Sequence, residues 1–298
     1  MTGDFRRRAE VRSPRSRPRR PAGSIQGPIR QELLHWLLEK FDPTSPGNLR
    51  RQRILEDLLW AQHCLFLAVR LQDDLFDGQA RQASLLFASD QFLVESQRVF
   101  AEDLGAGPAF WRVYRQCLRD TTLAIVEADR LQRCRRGAGA DLLEAYSRQA
   151  SIFRIAPAWI CLRFHRWKDY PRIARFLDAI AAADQILDDV VDMEEDRRGG
   201  RLNFAARWLT GRDGRSSRRN QKLPPGRTAG GALLNDELSG LLSVVRQQID
   251  DATVAISPLR ISPAEGFLRN YRRSLDRYEM TIHRRRVRLL FGEILAHR

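Results

Sequence analysis

Between residues 30 and 296, apart from 211–230 and short breakers, apolar side chains recur every three or four positions, and no useful stretch alternates as a strand requires. That periodicity restricts the chain to an all-α fold. The spacing predicts a first helix over 30–41 that stops before Asp42-Pro43, and a long second one, 46–77, that ends at Gly78. Further helices are expected over 80–103, 108–134, 140–167 and 170–197, with Ala156-Pro157 kinking the fifth. A short helix at 203–210 and two longer ones at 231–255 and 262–296, parted by Ile256-Ser257-Pro258, complete the reading. No internal repeat is present. The expectation is a single α-helical domain over 29–298.

The 298 residues carry a formal net charge of +14, which brings nucleic-acid or anionic-surface binding into consideration. The excess is unevenly placed. Residues 1–28 hold eight arginines against Asp4 and Glu10, and a second run from Arg212 to Arg227 is also basic. Both are rich in Gly, Pro and Ser, so 1–28 reads as a disordered basic arm and 211–230 as a disordered loop. The remaining body is close to balanced. Cys64, Cys117, Cys134 and Cys161 show neither CxxC spacing nor His partners at zinc-site spacing, and read as free thiols in a reducing cytoplasm. The basic arm lacks the apolar run of a secretory signal, and no segment approaches the length of a membrane span.

The chemistry concentrates in two acidic runs. Asp73-Asp74-Leu75-Phe76-Asp77 and Asp188-Asp189-Val190-Val191-Asp192 both have the form DDxxD. On a helix, positions i and i+4 share a face one turn apart, so Asp73 projects with Asp77 and Asp188 with Asp192. Asp184 extends the second row by one turn upstream and Asp196 by one downstream. Stacked carboxylates at the end of an apolar helix face repel one another unless cations neutralise them. Mg²⁺, which takes carboxylate and phosphate oxygens together, suits them. Phe76, Phe153, Trp159 and Phe204 offer π faces to a cation, although core packing is the ordinary role of such residues.

The stretch Gln185 to Asp192 resembles the QxxDDxxD motif of trans-prenyl diphosphate synthases, and Asp73 to Gly78 is similar to that family's first Asp-rich motif. Met193 to Arg201 resembles the family's GDxxxxGK continuation, with Asp196 in register and Arg201 one residue early. This resemblance implies the class I isoprenoid synthase fold, a helical bundle around a central cavity. It implies that Asp73, Asp74, Asp77, Asp188, Asp189 and Asp192 hold three Mg²⁺, directly or through water, and that these bridge the diphosphate of an allylic prenyl substrate. Arg197, Arg198 and Arg201 would then meet that diphosphate, joined by Arg277 and Tyr278, a pair resembling the Arg-Tyr pair of terpene cyclases.

The chain departs from the elongating synthases at the second-substrate site. No GKRxRP-like motif precedes Asp73, Arg50, Arg51 and Arg53 being the nearest substitutes. Phe66 stands where a His is expected, with His63 out of register, and residues 140–167 offer Arg148, Gln149 and Arg154 in place of a Lys. The reading is therefore a single-substrate enzyme that ionises an allylic prenyl diphosphate, with cyclisation or elimination as the outcome. The alternative is a prenyltransferase with a different acceptor site. A homodimer stays open. A nucleic-acid-binding helical protein would explain the charge but not the paired Asp motifs, and a catalytically silent scaffold would not need both motifs complete.

Overall fold

The computed structural model describes residues 26–42, 48–78, 80–134, 139–198, 200, 203–209 and 236–296. Its helices are α1 (Gln26–Phe41), α2 (Leu49–Phe76), α3 (Leu85–Arg98), α4 (Pro108–Arg133), α5 (Gly139–Gln149), α6 (Ile155–Arg163), α7 (Tyr170–Arg198), α8 (Phe204–Leu209), α9 (Asp236–Ile256) and α10 (Ser262–Ala296). Among the described residues there is no strand, so the expected all-α class holds. Helix α1 begins at Gln26, inside the segment assigned to the arm; residues 1–25 and the loop 211–230 lie outside the described residues.

Local chemistry sets the element ends. The Asn48 side chain accepts from the backbone N–H of Arg50 at 2.8 Å and starts α2. Its other end falls inside the first Asp motif: Asp77 N–H returns to the Asp73 carbonyl, and Gly78 takes a left-handed φ of 70°. Residues 80–84, expected to be helical, instead form the turn before α3. The predicted fifth helix is divided. Pro157 has no N–H for the carbonyl of Phe153 and its ring crowds that oxygen, so Ala150–Arg154 tightens to a 3₁₀ turn between α5 and α6.

Helix α7 is the centre of the bundle. Ile173, Phe176, Ile180, Ala182, Ala183 and Ile186 are buried on more than one of its faces, because α9 packs along it while α5, α6 and α8 also touch it. Helix α1 presents one stripe, Leu33, Leu34, Leu37, Leu38 and Phe41, to α2 and α6. Each such leucine contributes roughly 1.5–3 kcal/mol through burial. Arg207 of α8 is almost fully buried and donates to the Leu131 and Cys134 carbonyls, so its cation closes the C-terminal end of α4.

Candidate active site

The two Asp motifs stand on different helices, α2 and α7, and of their six carboxylates Asp73 lines the cleft described here. On α2, Phe66, Val69 and Asp73 lie at intervals of three and four and line one cleft of about 150 Å³. Ala181 and Gln185 of α7 line the same cleft. Asp188 follows Gln185 by three residues and Ala181 by seven, on the same side of α7, but it is not itself among the residues that line the cleft. Ile125, Ile152 and Phe153 make the apolar wall, while Arg30, Arg70, Tyr146 and Gln149 supply polar groups. Of the four aromatics noted in the sequence, Phe153 lines the cleft; Trp159 and Phe204 are buried in the core and Phe76 is exposed.

The motif carboxylates have different surroundings. Arg70, one turn before the first motif, pairs with Asp74 at 2.7 Å and Asp73 at 3.6 Å. Asp77 is the half-buried C-cap of α2. In the second motif Asp188 is half-buried and Asp192 exposed. Asp189, rotated about 100° from Asp188, is buried and accepts three hydrogen bonds. Tyr146 donates to it at 2.7 Å, the Phe204 backbone N–H at 2.8 Å and Gln185 at 3.1 Å. Asn203 joins this arrangement, donating to the Asp189 carbonyl and to Asp196 while capping α8 through the Ala206 N–H. Burial pushes the Asp189 carboxyl up to about 7 and the Tyr146 hydroxyl well above its usual range.

Asp184, one turn before Asp188, is also buried. Its Oδ1 accepts from the Tyr271 hydroxyl of α10, and burial pushes its carboxyl up to about 7 against the opposing effects of Tyr271 and Arg30. Its Oδ2 is buried without a hydrogen-bond partner. Arg30 of α1 lies with its guanidinium 3.6 Å above the Phe153 ring centre. Burial lowers it to about 10, while the charges of Asp184 and Asp188 act to keep it protonated.

The expected diphosphate contacts are spread along the chain. Arg198 is exposed at the end of α7; Arg201 and the side chain of Arg197 lie outside the described residues. Arg277 is exposed and donates to the Arg273 carbonyl at 3.3 Å and to Ser274 at 3.1 Å on its own helix, while Tyr278 packs against the core. Arg148 pairs with Glu127, and Arg154 with Asp178. Those two arginines are thus tied into the bundle, and Gln149 between them lines the cleft.

Sequence reasoning missed Arg30, Tyr146, Tyr271 and Asn203. Arg30 had a visible signal: it sits three, four and seven residues before Leu33, Leu34 and Leu37, a charged residue on an apolar stripe.

Neither a family model nor a curated relative matches the chain. Among solved structures, a polyprenyl synthase from Roseobacter denitrificans is similar with a TM-score of 0.65 and 16% identity, over 84% of this chain and 85% of that one. The chain therefore has the isoprenoid synthase fold. Among the described residues no helix is long and apolar enough to cross a membrane.

Proposed function

We propose that this chain is a Mg²⁺-dependent enzyme that ionises an allylic prenyl diphosphate, with cyclisation or elimination and release of diphosphate as the outcome. One observation carries the reading: Asp73 and the Ala181–Gln185 face of α7 border a single cleft with an apolar wall. The donor chemistry suits the metal. Asp73 lines the cleft, and the buried Asp184 Oδ2, one residue before the lining Gln185, has no hydrogen-bond partner. Among the described residues no three His, Cys, Asp or Glu side chains converge on one point.

In this reading Asp73, Asp74 and Asp77 of α2 and Asp188 and Asp192 of α7 hold the cations, three by the family resemblance. Asp189, committed to three hydrogen bonds, fixes α7 against α5 and α8 instead. When bound, Mg²⁺ neutralises charge developing on the leaving diphosphate. Arg70, Arg197, Arg198, Arg201 and Arg277 are the proposed donors to that diphosphate, with Tyr278 beside them. Phe66, Val69, Ile125, Ile152 and Phe153 exclude water from the prenyl chain and face the cation that forms. A homodimer, and an anionic-surface contact through residues 1–28, belong to the same proposal.

Prenyl transfer is the second reading, favoured by the likeness to a polyprenyl synthase. The shared step is tested by incubating the protein with geranyl, farnesyl or geranylgeranyl diphosphate. Diphosphate release that needs Mg²⁺ and stops with chelator supports it; no release from any of the three removes it.

A further inference from the structure

One side of the bundle, built from α2, α3 and α4, exposes an apolar face. Most of the large apolar side chains that the described residues leave exposed fall between Trp60 and Val126. On α3, Leu86, Phe87 and Val94 share a face with Asp90, and Phe87 is 75% exposed. Helix α3 packs chiefly on α2 and on the turn Val99–Asp103, which leaves this face to solvent. On α4, Leu123 and Val126 lie one and two turns beyond Arg119 and are also exposed. Ser89 Oγ donates to the Ala68 carbonyl at 2.9 Å and Trp60 Nε1 to Glu95 at 3.1 Å, so α3 runs antiparallel along α2. Phe66 of α2 and Ile125 of α4 line the same cleft, which brings α4 alongside the α2 stripe that carries Phe66. Phe66 packs on Phe153 with ring centres 5.9 Å apart, yet it remains 36% exposed.

We propose that this face is the interface with a second copy of the chain, α3 of each copy seating beside α4 of the other, and that the second copy closes the cleft wall at Phe66. Charge selects a second copy as the occupant. The exposed side of α4 carries Arg112, Arg115 and Arg119 ahead of Leu123, whereas α3 shows Asp90 and no basic side chain beside Leu86, Phe87 and Val94. A two-fold axis sets a patch against itself, so the acidic α3 of one copy meets the basic α4 of the other twice over. Size agrees. Helices of 14 and 26 residues present a footprint on the order of 600 Å² before side-chain relief is counted, near the ~800 Å² per partner of a stable pair. An apolar face of that extent is uncommon on a chain that stays single. The closure of the cleft rests on its reading as a prenyl site and deepens it. A carbocation lasts only where water is kept out, and in the single chain Phe66 opens the apolar wall to solvent.

Sedimentation equilibrium of the full chain measures the association. Wild type is expected at twice 34.4 kDa. Phe87→Glu and Leu123→Arg each place a charge on the face and should weaken association by at least about thirtyfold, the scale of a hot-spot side chain. Their circular dichroism should match wild type. Val254→Glu, at an exposed apolar position of α9, should leave the dimer intact. Asp90→Arg and Arg119→Glu should each weaken the dimer, and the double exchange should restore it; no restoration overturns the pairing of α3 with α4. Wild type that stays monomeric at ~0.1 mM, or a dimer that survives both Phe87→Glu and Leu123→Arg, overturns the interface. If Phe87→Glu does not fold, Leu123→Arg and the charge exchange decide it. Product analysis with farnesyl diphosphate then tests the closure. In a monomer, water reaches the cation: the allylic C–O bond breaks with its electrons on the diphosphate, the water oxygen bonds to carbon and its proton passes to solvent. The share of open-chain alcohol should therefore rise in the monomeric variants, and an unchanged share overturns closure at Phe66. A dimeric wild type that releases no diphosphate overturns the prenyl reading instead, a failure separate from loss of the interface.

Discussion

The Tyr146 hydroxyl of α5 donates to Asp189 Oδ2 at 2.7 Å, and the same oxygen accepts the Phe204 N–H that opens α8. The middle carboxylate of the second Asp motif thus ties three helices together. Its neighbour Asp188, one residue and about 100° away, is half-buried and shares the helix side of Ala181 and Gln185 by its spacing of seven and three residues. Adjacent residues of one motif therefore sit in different surroundings. Asp189→Ala should strand a buried hydroxyl and a buried N–H and cost about 3 kcal/mol of stability. Asp188→Ala, at a half-buried position, should change stability by no more than about 1 kcal/mol. Urea unfolding of the two variants checks this, and equal losses would remove the distinction.

Activity should sort the other way. Asp73→Ala and Asp188→Ala are expected to lower diphosphate release by about 10²-fold or more, the scale for losing one group that stabilises a developing anion. Far-ultraviolet circular dichroism should remain that of wild type. Turnover retained in both variants would place the chemistry elsewhere.

A separate carboxylate supplies a pH prediction. Asp178 of α7 pairs with Arg154 at 2.7 Å, yet burial pushes its carboxyl up to about 6, against the opposing pull of Arg154. The folded chain then holds that proton more tightly than the unfolded chain does. Its stabilising contribution is fully present below the unfolded value near about 4 and is lost as pH rises through about 6. Between those pH values Asp178→Asn should lose less stability than wild type, the difference reaching up to about 3 kcal/mol. Unfolding midpoints of the two proteins at pH 4, 5, 6 and 7 measure it; parallel curves would mean that Asp178 titrates normally.

How much of this was legible in the sequence differs from residue to residue. Helix α2, expected over 46–77, runs Leu49–Phe76, and α10 matches the expected start at 262, because apolar period and end signals are local. The i, i+4 rule set Asp188 with Asp184 and Asp192. The separate fate of Asp189 was also readable in principle, since it follows Ile186 by three residues and Ala182 by seven, both buried. The partners were not readable. Tyr146 lies 43 residues from Asp189, and Tyr271 lies 87 from Asp184. Such pairs follow from how α5, α7 and α10 pack, which no local period encodes. The turn at 80–84 was read as helix because its polar residues do not break the pattern strongly, although Gly78 had already ended α2.

The choice between cyclisation and transfer makes the last prediction. A transferase must seat a second diphosphate, and that requires basic donors apart from those that meet the first. Arg148 and Arg154 are paired with Glu127 and Asp178, and Arg50 and Arg53 are exposed at the far end of α2 from Asp73. Arg70 pairs with the first motif itself. These ties leave Arg30 as the cleft arginine without an acidic partner in direct contact, and its neighbours Asp184 and Asp188 already draw on its charge. Farnesyl or geranylgeranyl diphosphate alone should therefore give saturable product formation, and added isopentenyl diphosphate should neither lengthen the product nor raise the rate. Chromatography of the dephosphorylated products with and without isopentenyl diphosphate decides it. A longer prenyl alcohol would establish transfer, and would direct the search for the acceptor site to Arg50, Arg51 and Arg53 first.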